Sequence, residues 1–233
     1  MTLELGGKSP NIICPDADIA AAIKGSFTGI YFNTGQACNA GSRLYVPKAE
    51  FDNVVSGLAE AADAATIGPG LDPNTQFGPV VSAEQHERVL GYIESGRDAG
   101  AEVVAGGGPP EDNGNGYFVR PTLFTGVEDS MDIAREEIFG PVLVAMPYDD
   151  LDEVVRRAND TEYGLAAGLW TKDLGTAHRV AAQLQAGSVY VNNWGAYDPA
   201  APFGGYKSSG LGREMGHENL DAYLETKTIW VKL

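Results

Sequence analysis

Residues 11 to 47 read NIICPDADIAAAIKGSFTGIYFNTGQACNAGSRLYVP, and a strand, a helix, a loop and a second strand are legible in them. NIIC is a short apolar run closed by Pro15, and Asp16 or Asp18 offers an N-cap to a helix beginning near Ile19. Ile19, Ile23, Phe27 and Ile30 recur at spacings of three and four, which places them on one helical face. Gly35 and Gly41 break that period, and LYVP at 44 to 47 resumes as a β-type run.

The alternation extends along the chain. A helix is predicted over 49 to 65, a Gly/Pro-rich loop from Gly68 to Pro79, and a helix over 83 to 98 carrying Val89, Leu90 and Ile93. AEVVAGG comes next. Strands are predicted over 117 to 127, 141 to 148 and 165 to 171, helices over 150 to 160 and 173 to 186, and a further strand in SVYVNN at 188 to 193. Strands alternating with helices predict an α/β class with a mostly parallel sheet covered on both faces. From Asn192 to Gly212 the chain is rich in Gly, Pro and aromatics, and a loop of that length inside a compact domain is usually functional. AYLETKTIWVKL closes the chain as a β-type run.

Composition narrows the function classes. With 233 residues, 43 % apolar and 21 % charged, the chain can bury a full core and is not a disordered one. The formal net charge of −16 repels phosphate, so neither nucleic acid nor an anionic membrane surface is expected as a partner. No apolar run approaches the ~20 residues of a bilayer span, and MTLELGGKSPN lacks the cationic and apolar parts of a signal peptide. The expected compartment is the cytoplasm. Cys14 and Cys38 build no disulfide framework or zinc motif, and His86, His178 and His217 are scattered, so no metal is expected.

Cys38 lies in a glycine-flanked loop after a helix, where flexible backbone can expose a thiol and present N–H groups to an oxyanion. Read alone, a lone cysteine of this kind is more often an inert buried thiol, because reactivity needs access and a lowered pKa. Glu4 stands beside Gly6 and Gly7, as Glu136 and Glu137 stand before IFGP, and each carboxylate alone reads first as a solvated charge. A Cys-His hydrolase would need the fold to bring a histidine to Cys38.

The combination goes further. LELGGKSPNII (3 to 13), FNTGQACNAGSR (32 to 43), EEIFGPV (136 to 142), SVYVNN (188 to 193) and PFGGYKSSGLGRE (202 to 214) resemble, in order, the signature blocks of the NAD(P)-dependent aldehyde dehydrogenase superfamily. The resemblance covers essentially the whole chain. It implies that Cys38 is the nucleophile and Glu4 the general base. It also implies that Glu137 holds the nicotinamide ribose of NAD or NADP, with Phe139 against the nicotinamide and the Leu5 main chain beside it. Tyr197 and Phe203 fall in the aromatic loop lining the aldehyde tunnel, Asn192 belongs to the VN motif near the nucleophile, and Lys207 reads as structural.

What the resemblance implies for the whole is an aldehyde dehydrogenase catalytic domain over 1 to 221, with a C-terminal oligomerisation strand over 222 to 233. The family's dinucleotide-binding portion, its hairpin and its oxyanion-hole Asn precede the LELGG block. The expectation is therefore a truncated catalytic portion that is inactive alone, acting on a small-molecule aldehyde when complete. A homodimer or higher homo-oligomer is implied through residues near 226 to 232. The alternative is a non-catalytic folded remnant or a thiol-dependent esterase.

Overall fold

Val142, Leu143, Val144, Ala145 and Met146 alternate, residue by residue, between two buried clusters on opposite faces of a sheet. Successive side chains of a strand point to opposite faces, so a strand apolar at every position must be covered twice. Ile12 and Ile13, and Leu44, Tyr45 and Val46, divide in the same way.

The computed structural model describes residues 1 to 111 and 116 to 233. Its strands are β1 (Leu3–Glu4), β2 (Pro10–Ile13), β3 (Arg43–Pro47), β4 (Glu102–Ala105), β5 (Thr122–Thr125), β6 (Val142–Tyr148), β7 (Tyr163–Gly164), β8 (Ala166–Trp170), β9 (Ser188–Val191), β10 (Tyr206–Lys207) and β11 (Gly210–Leu211). The helices are α1 (Ile19–Tyr31), α2 (Phe51–Asp63), α3 (Ala83–Asp98), the single turn α4 (Asp132–Arg135), α5 (Leu151–Asn159) and α6 (Leu174–Gln183). Seven strands form the central sheet in the order β4-β5-β6-β3-β2-β8-β9, parallel except for the β4 edge. Buried residues of α1 and α2 pack with one cluster, and those of α3 to α6 with the other. The α/β class with a mostly parallel sheet is the observed one.

Local chemistry sets the helix ends. Asp18, not Asp16, caps α1 by accepting the Ala21 N–H at 3.1 Å, and Ser82, Asp150 and Asp173 cap α3, α5 and α6 in the same way. Asp16 instead accepts from the Lys172 and Asp173 N–H groups and the Thr171 hydroxyl, fastening the end of β2 to the end of β8.

Two expectations differ from what is seen. The strand read over 117 to 127 is confined to Thr122–Thr125, directly after Pro121, which has no N–H to give a ladder. The terminal run after Tyr223 forms no strand; Leu224, Ile229, Trp230 and Val231 are exposed. β-propensity makes no strand without a neighbour to take its N–H and C=O groups. The long loop contains what its Gly-rich sequence concealed: β10 pairs with β7, and β11 with β1. Among the described residues no helix is long and apolar enough to cross a membrane.

Candidate active site

Glu4, Cys38 and Glu137 precede β2, β3 and β6, each by five or six residues. Those three strands are mutually parallel and in register, so all three side chains come from the same, amino-terminal edge of the sheet. Open α/β sheets more often bind ligands at the carboxyl edge.

Contacts at glycines bring these segments together. A Cβ on Gly7 would overlap the Cys38 carbonyl oxygen, and one on Gly6 would overlap Glu137 Oε2. Gly35 has φ +72 and sits against the Gly140 carbonyl, where any side chain would collide. Asn33 and Thr34 also have positive φ, so the backbone reverses sharply just before the cysteine. Glycines in LELGG and NTGQAC are thus the places where three blocks touch backbone to backbone.

Cys38 is half-buried at one wall of a cavity of about 440 Å³ lined also by Thr28, Phe32, Ala37, Asn39, Trp194 and Tyr197. Burial pushes its thiol above the ordinary value; the Asn39 and Cys38 N–H groups oppose this, and the negative charges of Glu4 and Glu137 add to it. The chain's own groups therefore hold Cys38 as a thiol. Cys14, by contrast, is fully buried behind β2 and raised to about 12, chiefly by desolvation.

Glu4 is held by pairing of β1 with β11, opposite Gly210, and the next N–H, that of Leu5, donates to the Ser209 carbonyl. Both Glu4 carboxylate oxygens are shielded from solvent and have no hydrogen-bond partner among the described residues. Desolvation raises its carboxyl, Glu214 raises it further, and Arg213 draws it down. An unpaired, shielded carboxylate is a strong base held ready for a proton.

Glu137 Oε1 accepts the Gly7 N–H at 3.1 Å, and burial raises its carboxyl against that bond and the charges of Arg88 and Lys8. Phe139 stands two residues on at φ +56 with its ring partly exposed, and Gln85 donates to its carbonyl at 2.8 Å. A non-glycine residue in that region is strained and is held by its surroundings.

The other predicted residues divide. Tyr197 lines the Cys38 cavity, and Phe203 stands against it with ring centroids 5.5 Å apart. Asn192 is not brought to them: it comes directly after β9 at the opposite, carboxyl-terminal edge, where its amide exchanges bonds of 2.9 and 2.8 Å with the Thr171 backbone. The loop after it runs back toward the cysteine. Lys207 donates to the Asn159 and Thr161 carbonyls, a structural clamp.

Several residues escaped the sequence reading, Trp194 of the cavity wall among them. Thr28 and Phe32 lie one turn apart at the end of α1, off its apolar stripe, and that spacing was the available signal. Asn39 offered only its place beside Cys38. Lys8 is fully buried with Nζ unpartnered among the described residues, and nothing in LELGGKSP distinguishes it from a surface lysine.

The family model described as "Aldehyde dehydrogenase family" matches residues 1 to 229. A mitochondrial aldehyde dehydrogenase of Leishmania tarentolae is 53 % identical over 229 residues, covering 98 % of this chain and 46 % of the relative. A betaine aldehyde dehydrogenase of Mesorhizobium japonicum is 50 % identical over 233 residues, covering 99 % of this chain and 48 % of its own length. The solved NAD+ complex of an aldehyde dehydrogenase from Bacillus cereus superposes with a TM-score of 0.97 at 52 % identity, over 100 % of this chain and 47 % of that one. The chain spans about half the length of the curated relatives it matches. With the motif blocks in order, their glycines packed against one another and the match running nearly end to end, the chain belongs to the aldehyde dehydrogenase family.

Proposed function

We propose that this chain carries the catalytic machinery of an NAD(P)-dependent aldehyde dehydrogenase, with Cys38 as nucleophile and Glu4 as general base. The observation that carries the reading is the convergence of Glu4, Cys38 and Glu137 on one sheet edge, made by glycine contacts between the blocks. Cys38 Sγ, losing its proton, forms a bond to the aldehyde carbon, and the carbonyl oxygen becomes an oxyanion that the Cys38 N–H can receive. NAD or NADP, when bound, supplies the acceptor for the hydride that leaves this carbon. Glu4 then takes a proton from water, whose oxygen attacks the thioester carbon; the acid leaves and the thiol is restored.

The residues present fit the nicotinamide end of such a cofactor. Glu137 is a carboxylate fixed by one N–H and suited to a ribose diol, Phe139 offers a ring face, and Leu5 lies just beyond β1, between Glu4 and Gly6. We assign Tyr197 and Phe203 to the aldehyde pocket, and Asn192 to holding the start of their loop. All cofactor contacts assigned within these 233 residues are at the nicotinamide end, and the remote half of a cofactor normally does the anchoring. NAD(P)-dependent oxidation by these residues alone is therefore expected to be negligible, while cofactor-independent acyl transfer through Cys38, a thiol-dependent esterase activity, remains open to them.

The exposed run from Leu224 to Leu233 supports pairing with a second copy, a homodimer or larger closed oligomer. Two free cysteines, one of them at the site, suit a reducing cytoplasmic setting.

The test is acylation of the 233-residue chain with p-nitrophenyl acetate, with the acylated site read by peptide mass spectrometry. Acyl groups are expected on Cys38, turning over in the wild type and accumulating in Glu4→Gln. Acylation that spares Cys38, or turnover indifferent to Glu4, overturns the assignment.

A further inference from the structure

Asn39 comes directly after Cys38, and its side chain reaches the aromatic residues of β9 and the loop beyond it. It is buried, and Nδ2 donates to Tyr197 Oη at 2.6 Å and to Tyr190 Oη at 3.5 Å. Tyr190 belongs to β9, and Tyr197 to the loop beyond it. The Tyr190 ring stands 5.6 Å from that of Trp194, and the Tyr197 ring 5.5 Å from that of Phe203. Trp194 in turn occupies a slot over Gly29, Gly41 and Gly168, where a side chain on any of the three would meet the indole. One amide thus joins the cysteine loop to both halves of an aromatic wall.

The wall needs such a tether. Among the described residues the one pairing between Asn193 and Gly205 is the Phe203–Glu214 bridge, six positions beyond Tyr197, so no hydrogen-bond ladder runs through Tyr197 itself. Its side chain is 56 % exposed, and packing alone leaves such a ring free to change rotamer at little cost. Its hydroxyl is where it is anchored. The cavity it closes over Cys38 is lined by Phe32, Ala37 and Trp194, with no charged side chain among the described residues.

Resting on the reading of Cys38 as nucleophile, we propose that Asn39 is the positioning residue that sets substrate shape. By tethering Tyr197 it keeps the cavity a slot suited to an aldehyde with a flat, uncharged body.

The test uses the full 233-residue chain as wild type, Asn39→Ala, Tyr197→Phe and the double variant. Cys38 is alkylated with phenacyl bromide, which is flat and aromatic, and with iodoacetamide, which is small. In both reactions an S–C bond forms, the carbon–halogen bond breaks, halide leaves and the thiol proton passes to water. Each rate is divided by that of free cysteine at the same pH, and the site is read by peptide mass spectrometry. Wild type is expected to favour the aromatic reagent. Each single variant should lower the aromatic-to-small ratio by about twofold to tenfold, the worth of one net hydrogen bond, and the double variant no further than either single. Ratios unchanged in the single variants, or effects that multiply in the double, overturn the tether. Should Asn39→Ala fail to fold, Tyr197→Phe removes the same bond from the loop side and decides alone. The rate at Cys38 relative to Cys14 reads the nucleophile assignment separately: a shifted ratio without any advantage over Cys14 would leave the tether standing and remove the catalytic role.

Discussion

The Gly7 N–H donates to Glu137 Oε1 at 3.1 Å while the Gly7 Cα is pressed against the Cys38 carbonyl. One residue without a side chain therefore spaces the nucleophile loop from the carboxylate assigned to the cofactor. Gly7→Ala is expected to force that backbone apart and cost about 1–3 kcal/mol, the range for overpacking a close-packed interior. Gly91→Ala is the control, because α3 leaves open space there and alanine favours a helix. Denaturant midpoints read both, and a Gly7→Ala midpoint equal to wild type removes the spacing argument.

Cys38 titrates under two carboxylates. Burial holds its thiol up, and the charges of Glu4 and Glu137 hold it further up, so removing either charge should lower it. Glu137→Gln keeps an oxygen for the Gly7 N–H, and at a fixed mildly alkaline pH it should speed alkylation of Cys38 by raising the thiolate fraction. Slower or equal labelling contradicts this electrostatic picture. Cys14, fully buried and raised to about 12, should stay unlabelled in the native chain.

Glu4 has one neighbour of each sign. Glu214 raises its carboxyl and Arg213 lowers it, both on a background of desolvation. As the proposed base Glu4 would work when ionised, so turnover of acyl-Cys38 should fall as pH drops through a value above the ordinary glutamate one. Glu214→Gln should move this acid limb to lower pH, and Arg213→Gln to higher pH. Movement of both in one direction excludes Glu4 as the group observed.

Lys8 predicts a stability profile. Burial lowers its ammonium from 10.5 to about 7, Arg43 adds to this, and Glu137 and Glu136 oppose it. The folded value lies below the unfolded one, so between about 7 and 10.5 the unfolded chain binds the extra proton and stability rises with pH. Below this window the burial penalty is present in full. Lys8→Met should therefore stabilise the chain near neutral pH by on the order of a few kcal/mol and flatten its rise toward pH 10. Urea unfolding of both forms at the two pH values checks it; an unchanged slope assigns the rise to other groups.

The terminal segment separates folding from association. Residues 224 to 233 join no ladder among the described residues, so at concentrations where both forms are monomeric truncation after Tyr223 should change the free energy of unfolding by no more than about 0.5 kcal/mol, as for surface changes generally. Light scattering after size exclusion should show the intact chain as the larger species. Identical masses for both would place the interface elsewhere.

Much of this molecule was legible from its sequence by itself. Apolar periods of two and of three to four, an aspartate cap before Ile19 and glycine breaks yielded the order of strands and helices, because those signals act between residues a few positions apart. Cys38, Glu4 and Glu137 were singled out by the resemblance of the ordered motif blocks to a family, not by their own local chemistry, which read alone pointed to nothing. The tertiary structure decided what depends on distant partners. It put Asn192 on Thr171 at the far edge of the sheet, joined Asn39 to Tyr197 across 158 positions, and buried Lys8 without a partner among the described residues. It also left the β-prone run after Tyr223 without a ladder, because a strand is completed only by the chain that lies beside it.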